Sequence, residues 1–171
     1  PNASPPHKDN SELLNPEQRY HMVELAIKNN PALELSAREM NRTGFSYTID
    51  TVNYYRVRFP GTEIYFITGA DSLYYMETWR DIELLVERCI FIVATRPGYS
   101  IDRNDPALAR LPANLWHTMK ELQIPGLDIS SSDIRNRVAH GKPIKYLLPS
   151  EVEEYILAKG LYRKDGKRDV E

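Results

Sequence analysis

An α/β fold with a parallel sheet is predicted for this 171-residue chain by three features. Two short apolar runs, residues 63–68 and 89–95, are rich in β-branched and aromatic residues, the composition of strands covered on both faces. Stretches with helical spacing and helix-stop signals flank them, the alternation expected of βα units. Each run ends in a polar or glycine-bearing turn, the place where such sheets bind ligands.

Taken in order, the opening segment leads to Asn15-Pro16-Glu17-Gln18, with Asn15 as cap, Pro16 in the first turn and Gln18 able to reach back. Met22 with Ala26 and Val23 with Ile27 give this helix an apolar face, and Asn29-Asn30-Pro31 stops it. A strand is predicted over residues 32–36 and a turn at Asn41-Arg42-Thr43-Gly44. The second helix begins near Tyr47-Thr48, places Ile49, Val52, Tyr55 and Phe59 on one side, and ends at Pro60-Gly61.

After the strand at 63–68 come Gly69-Ala70-Asp71 and an aromatic loop from Leu73 to Trp79. A helix from about Asp81 to Arg88 leads to the strand at 89–95 and the turn Arg96-Pro97-Gly98. Residues 100–124 read as irregular, with Pro106 and Pro112 breaking any long helix. A weak strand over residues 127–129 then feeds Ser130-Ser131-Ser132 and a helix to about Val138. Pro149-Ser150 opens a last helix, closed by Gly160. Residues 1–162 are expected to form one domain and residues 163–171 a charged tail or linker.

Composition excludes several classes. A net charge of −2 offers no basic stripe for nucleic acid. No apolar run approaches the roughly 18 residues of a membrane span. The single cysteine, Cys89, excludes an intrachain disulfide and a cysteine zinc cage, and points to a buried thiol in a reducing, cytoplasmic compartment. Neither G-x-x-x-x-G-K-[ST] nor G-x-G-x-x-G occurs, there is no G-x-S-x-G elbow, and the four histidines lack metal-ligand spacing.

The strand ends carry the candidate chemistry. Three hydroxyls at a helix start, with Arg135 one turn inside, suit a phosphate, since helix N-terminal amides and a guanidinium fork both favour anions. The same serines also read as an ordinary cap. Gly69 would let a ligand approach the backbone and Asp71 could accept from ribose hydroxyls; a strand-to-helix turn with an aspartate cap is the competing reading. Arg96 is a surface turn or a ligand contact. Tyr74, Tyr75 and Trp79 are either core or a stacking platform for a flat ring. His7 and Lys8 supply a donor and a charge in the opening loop.

With these residues in view, the chain resembles the bacterial nicotinate-nucleotide adenylyltransferase family. The resemblance runs from Pro5-Pro6-His7-Lys8 through residues 46–51, Gly69-Ala70-Asp71, Trp79 and Arg96-Pro97-Gly98 to Ile129-Ser130-Ser131-Ser132-Asp133-Ile134-Arg135 and Gly160-Leu161-Tyr162. Ser132 stands where the family pattern I-S-S-T-x-I-R has threonine, which keeps the hydroxyl.

The resemblance implies a Rossmann-like nucleotidyltransferase fold that joins ATP, with Mg2+, to nicotinate mononucleotide, giving deamido-NAD and pyrophosphate. It implies that His7, Lys8, Gly69, Asp71, Ser130, Ser131, Ser132 and Arg135 face ATP, with Arg135 stabilising charge. Thr48, Tyr75, Trp79 and Arg96 would surround the pyridine nucleotide, and no protein side chain would hold the metal. The family's opening G-G-T-F-D-P-x-H-x-G-H segment is not found in these residues. The chain is therefore expected to be truncated at its N-terminus, beginning at Pro1 inside a longer protein, and to be inactive by itself. A transferase for another phosphorylated acceptor and a non-catalytic nucleotide-binding module are the alternatives, and a homo-oligomer is compatible with the sequence.

Overall fold

The structure, a computed structural model, describes residues 1–2 and 13–163. His7, Lys8 and the tail beyond Arg163 lie outside the described residues. In chain order the elements are α1 (Pro16–Ile27), α2 (Thr48–Arg58), β1 (Tyr65–Gly69), a 3-10 turn (Ala70–Ser72), α3 (Leu73–Met76), α4 (Ile82–Arg88), β2 (Ile90–Thr95), a second 3-10 turn (Pro106–Leu108), α5 (Ala113–Thr118), β3 (Lys120–Gln123), α6 (Ser131–Ala139) and α7 (Ser150–Ala158). They fall into two compact units, residues 41–126 and, from both ends of the chain, residues 13–40 with 127–163.

The first unit holds a three-stranded sheet in the order β1-β2-β3, parallel throughout, as expected. Ile67 pairs with Ile92 and Ile92 with Lys120, so one face carries Phe66, Phe91, Val93 and Thr95. That face is covered. Phe91 and Val93 are fully buried with Leu85, Leu115, Leu73 and Met76, and each large side chain so buried contributes about 1.5–3 kcal/mol. The opposite face is not covered in the same way: Ile67 is 67% exposed and Tyr65 41%. The expectation of strands buried on both faces is met on one face of β2 only, where Phe91, Val93 and Thr95 are buried while Ile90, Ile92 and Ala94 are half-buried, and it fails for β1.

Three element assignments change between residues 70 and 130. The third strand is β3, not residues 127–129. Its four residues are polar or exposed, so it lacks the apolar signature. Ile124 N–H still donates to Thr95 O at 2.9 Å, and Pro125, with no N–H, ends the ladder there. Residues 100–124 hold no long helix, as expected, but are more regular than expected because their prolines also start helical turns. Asp105 caps the turn that Pro106 opens, and α5 follows directly on Pro112. Leu108, Leu111, Leu115 and Met119 all bury into the core, a helical spacing hidden by the proline between them. The expected aromatic loop begins as α3, whose Leu73 and Met76 point inward and leave Tyr74 and Tyr75 outside.

In the second unit, α6 and α7 pack Val138, Ile144, Val152, Ile156 and Leu161 together, and α1 adds Met22 and Leu25. The Asn15 cap is as expected, its Oδ1 accepting from Glu17 N–H at 2.9 Å. The inward face of α1 differs from the expected one, because Val23 and Ala26 are exposed. No strand forms at 32–36. Asn30 folds the chain locally instead, its Oδ1 accepting from Ala32 N–H at 3.0 Å and its carbonyl from Leu33 N–H at 3.1 Å.

Cys89 is buried as expected, 5% exposed. Burial pushes its thiol up to about 11, with the Arg56 guanidinium pulling weakly the other way. A raised acid is neutral in the fold, so the stability it confers is complete below the unfolded thiol's pKa and is lost as pH rises through about 11. Folded protein at pH 8 should therefore resist iodoacetamide and react only after denaturant is added; rapid labelling without denaturant would contradict this environment.

Candidate active site

The carboxyl ends of β1, β2 and β3 border an open cleft of about 410 Å³ lined by Gly69, Ala70, Asp71, Ala94, Arg96, Tyr99 and Ile124. Gly69 is the last residue of β1, and Asp71 lies in the 3-10 turn that follows. A Cβ on Gly69 would sit 2.5 Å from Asp71 Oδ1, so glycine here leaves room for the aspartate's own carboxylate to fold back over the strand end. Gly69→Ala is expected to displace that carboxylate. Little stability should be lost, but ligand affinity at this pocket should fall; unchanged affinity would show that the Asp71 position is immaterial.

Arg96 leaves β2 in a tight turn. Tyr99 N–H donates to Arg96 O at 3.0 Å, Pro97 takes the second position, and Gly98 takes the third with φ of +79°, which a side chain would oppose. The segment after β3 lies against this turn, Gly126 being close enough that an added Cβ would meet Pro97 Cδ at 3.0 Å. The pocket thus combines a carboxylate, a guanidinium, a phenol and an apolar floor, a set suited to a nucleoside phosphate.

Of the residues expected around the pyridine nucleotide, only Arg96 lines this pocket. Thr48 begins α2, a helix start that no side chain caps. Just before it, Ser46 is 4% exposed with its hydroxyl unpartnered among the described residues. Helix N-termini favour anions, so this end of α2 suits a carboxylate. Tyr75 is 67% exposed. Trp79 is half-buried, its ring edge-on to Phe66 at 5.8 Å and tilted against Phe91 at 6.3 Å, so it serves the core.

The serine stretch belongs to the second unit. Ser130 is the cap of α6, its hydroxyl accepting from Asp133 N–H at 3.0 Å, so the structural role weighed from sequence is present. Arg135 Nη2 donates to Ser132 Oγ at 3.1 Å, and Ser131, Ser132 and Arg135 are all exposed. A cap and an anion site are compatible, because the amides of a helix start and a guanidinium one turn on face the same side.

Sequence reasoning did not single out Tyr99 and Ile124 as pocket residues. Ile124 followed the misplaced third strand. Tyr99 carries no motif, and only its position directly after Arg96-Pro97-Gly98 marks it.

Comparison with known proteins gives concordant matches. A family described as cytidylyltransferase-like matches residues 1–137. A relative from Moorella thermoacetica, named probable nicotinate-nucleotide adenylyltransferase, is 47% identical over 164 residues, which are 95% of this chain and 76% of that protein. One of the same name from Thermoanaerobacter sp. is 42% identical over 171 residues, 99% of this chain and 81% of the relative. Among solved structures, Plasmodium falciparum nicotinic acid mononucleotide adenylyltransferase, complexed with APC, superposes with a TM-score of 0.66 at 23% identity, covering 88% of this chain and 77% of that one. That likeness bears on the fold, and agrees with the parallel α/β arrangement.

Proposed function

Since the chain belongs to the nicotinate-nucleotide adenylyltransferase family, we propose that it serves adenylyl transfer from ATP to nicotinate mononucleotide, giving deamido-NAD and pyrophosphate in NAD biosynthesis. The 47% identity over nearly the whole chain carries this reading. The pocket at three parallel strand ends supports it, being the right kind of place for a nucleotide.

In the proposed reaction a phosphate oxygen of the mononucleotide attacks the α-phosphorus of ATP in line, one P–O bond forms, and the bond to the β-phosphate oxygen breaks. The nucleophile is already an anion, so no side chain need take a proton. Rate then comes from positioning and charge stabilisation. Ser130, Ser131, Ser132 and Arg135 are assigned to the ATP phosphates, and Gly69 and Asp71 to the adenosine moiety. Thr48, Tyr75, Trp79 and Arg96 are assigned to the mononucleotide, with the α2 start offering its dipole to the nicotinate carboxylate.

Among the described residues no group of three or more His, Cys, Asp or Glu side chains is placed to share a metal ion. Magnesium is proposed to enter with ATP, where it would neutralise part of the triphosphate charge. No helix of the described residues is long and apolar enough to cross a membrane, and the proposal places the reaction in the cytoplasm.

The test compares two preparations, the 171 residues and the same residues with whatever coding sequence precedes Pro1. Each is incubated with magnesium, ATP and nicotinate mononucleotide, nicotinamide mononucleotide or another phosphorylated acceptor. Dinucleotide formed preferentially from nicotinate mononucleotide supports the reading. Transfer only to another acceptor, or none in either preparation, overturns it.

A further inference from the structure

At the rim of the strand-end pocket Tyr74 meets two residues that lie 25 and 31 positions further along the chain. Tyr74 O–H donates to Asp105 Oδ2 at 3.1 Å, and Tyr99 O–H reaches Tyr74 Oη at 3.5 Å. Tyr99 is a wall of the pocket; Tyr74 and Asp105 are not.

We propose that Asp105 and Tyr74 form a clasp that positions the Tyr99 ring, and so sets the affinity of the pocket for a nucleoside phosphate. The proposal rests on the adenylyltransferase reading for the identity of the ligand, but the clasp is defined by geometry alone.

Each end of the clasp is anchored. Asp105 Oδ1 accepts from Ala107 N–H at 2.9 Å, which fixes the carboxylate while its other oxygen holds Tyr74. Leu108, 1% exposed, pins that turn to the core. Tyr74 sits between Leu73 and Met76, both buried, so its hydroxyl is carried on a rigid helical turn.

Tyr99, by contrast, is 46% exposed and stands at the end of a surface turn, with its hydroxyl contact to Tyr74 as the polar tie on its ring. A ring that must be frozen on binding costs affinity, and one held beforehand does not. The neighbouring Tyr99 hydroxyl and Asp105 carboxylate also hold the Tyr74 phenol well above the ordinary tyrosine range, the carboxylate by accepting the Tyr74 proton and by opposing a second negative charge beside it.

Two substitutions isolate the clasp. Tyr74→Phe keeps the ring and deletes the hydroxyl. Asp105→Asn keeps an oxygen for Ala107 N–H but replaces the acceptor that Tyr74 uses. Calorimetric titration with magnesium-ATP and with nicotinate mononucleotide should show the Kd of the ligand in this pocket raised about three- to tenfold by either substitution. The double variant should be no worse than either single one, with the melting temperature unchanged. In the assay the effect should fall on KM and leave kcat alone.

Ultraviolet titration of tyrosinate gives a readout that needs no ligand. One phenol of the wild type should resist ionisation beyond the others, and Asp105→Asn should bring it closer to the ordinary range. Ordinary titration of Tyr74, unchanged affinity in Tyr74→Phe, or additive losses in the double variant would each overturn the clasp. If the wild type binds neither nucleotide while Tyr74 still resists ionisation, the functional reading fails and the clasp stands.

Discussion

Arg135→Ala is expected to lower turnover by about 10²-fold in the active preparation, with melting temperature essentially unchanged. The guanidinium is exposed and its hydrogen bond is to Ser132 Oγ, one turn back on the same helix, so the fold does not depend on it. Its expected work is electrostatic, placing a fixed positive fork where negative charge builds on the transferring phosphate, and removal of one such group costs about 10²–10³ in kcat. Arg135→Lys should recover only part of the loss, because an ammonium keeps the charge and loses the fork. Wild-type turnover in Arg135→Ala would remove the residue from the site, and a lowered melting temperature would point to a structural role.

Trp79→Ala should produce the largest loss of stability, about 3 kcal/mol. That lies at the lower end of the range for deleting a core tryptophan, because the ring is only half-buried. Its contacts with Phe66 and Phe91 lie against the covered face of the sheet, where a cavity cannot be filled by the fixed strands. Those contacts account for the packed side of the half-buried ring, and the stacking role expected of Trp79 is a separate proposal. Trp79→Phe separates the two roles: it should restore most of the stability, and if Trp79 only packs, affinity for nicotinate mononucleotide should return with it. A stable Trp79→Phe protein that binds ATP normally and the mononucleotide poorly would reinstate the stacking role.

Legibility followed the kind of signal each residue carried. The two apolar strands β1 and β2, the capped helix start and the positive-φ glycine turns are written in local chemistry, so Asn15, Pro97-Gly98 and Gly160 were found where expected. β3 was missed because a short exposed strand needs no apolar alternation; what makes it a strand is its hydrogen bonding to β2. Pro106 and Pro112 break any long helix as expected, but the short turns they open went unread, since a residue that bars a long helix also suits a first helical turn. Gly69, Asp71 and Arg96 were legible as strand-end residues, whereas Tyr99 and Ile124 carry no motif and enter the pocket through their neighbours.

By itself the sequence determined the α/β class, the family and the strand ends at which to look, because periodicity, turn chemistry and the order of several motifs are local properties of the chain. Tertiary structure alone decided that Trp79 packs against Phe66 and Phe91, that the third strand lies before Pro125, and that Tyr74, Tyr99 and Asp105 meet. Those outcomes depend on which side chains compete for the same covered face and on contacts between segments some thirty residues apart in sequence. No local pattern encodes that competition; it is settled when the sheet closes over its core.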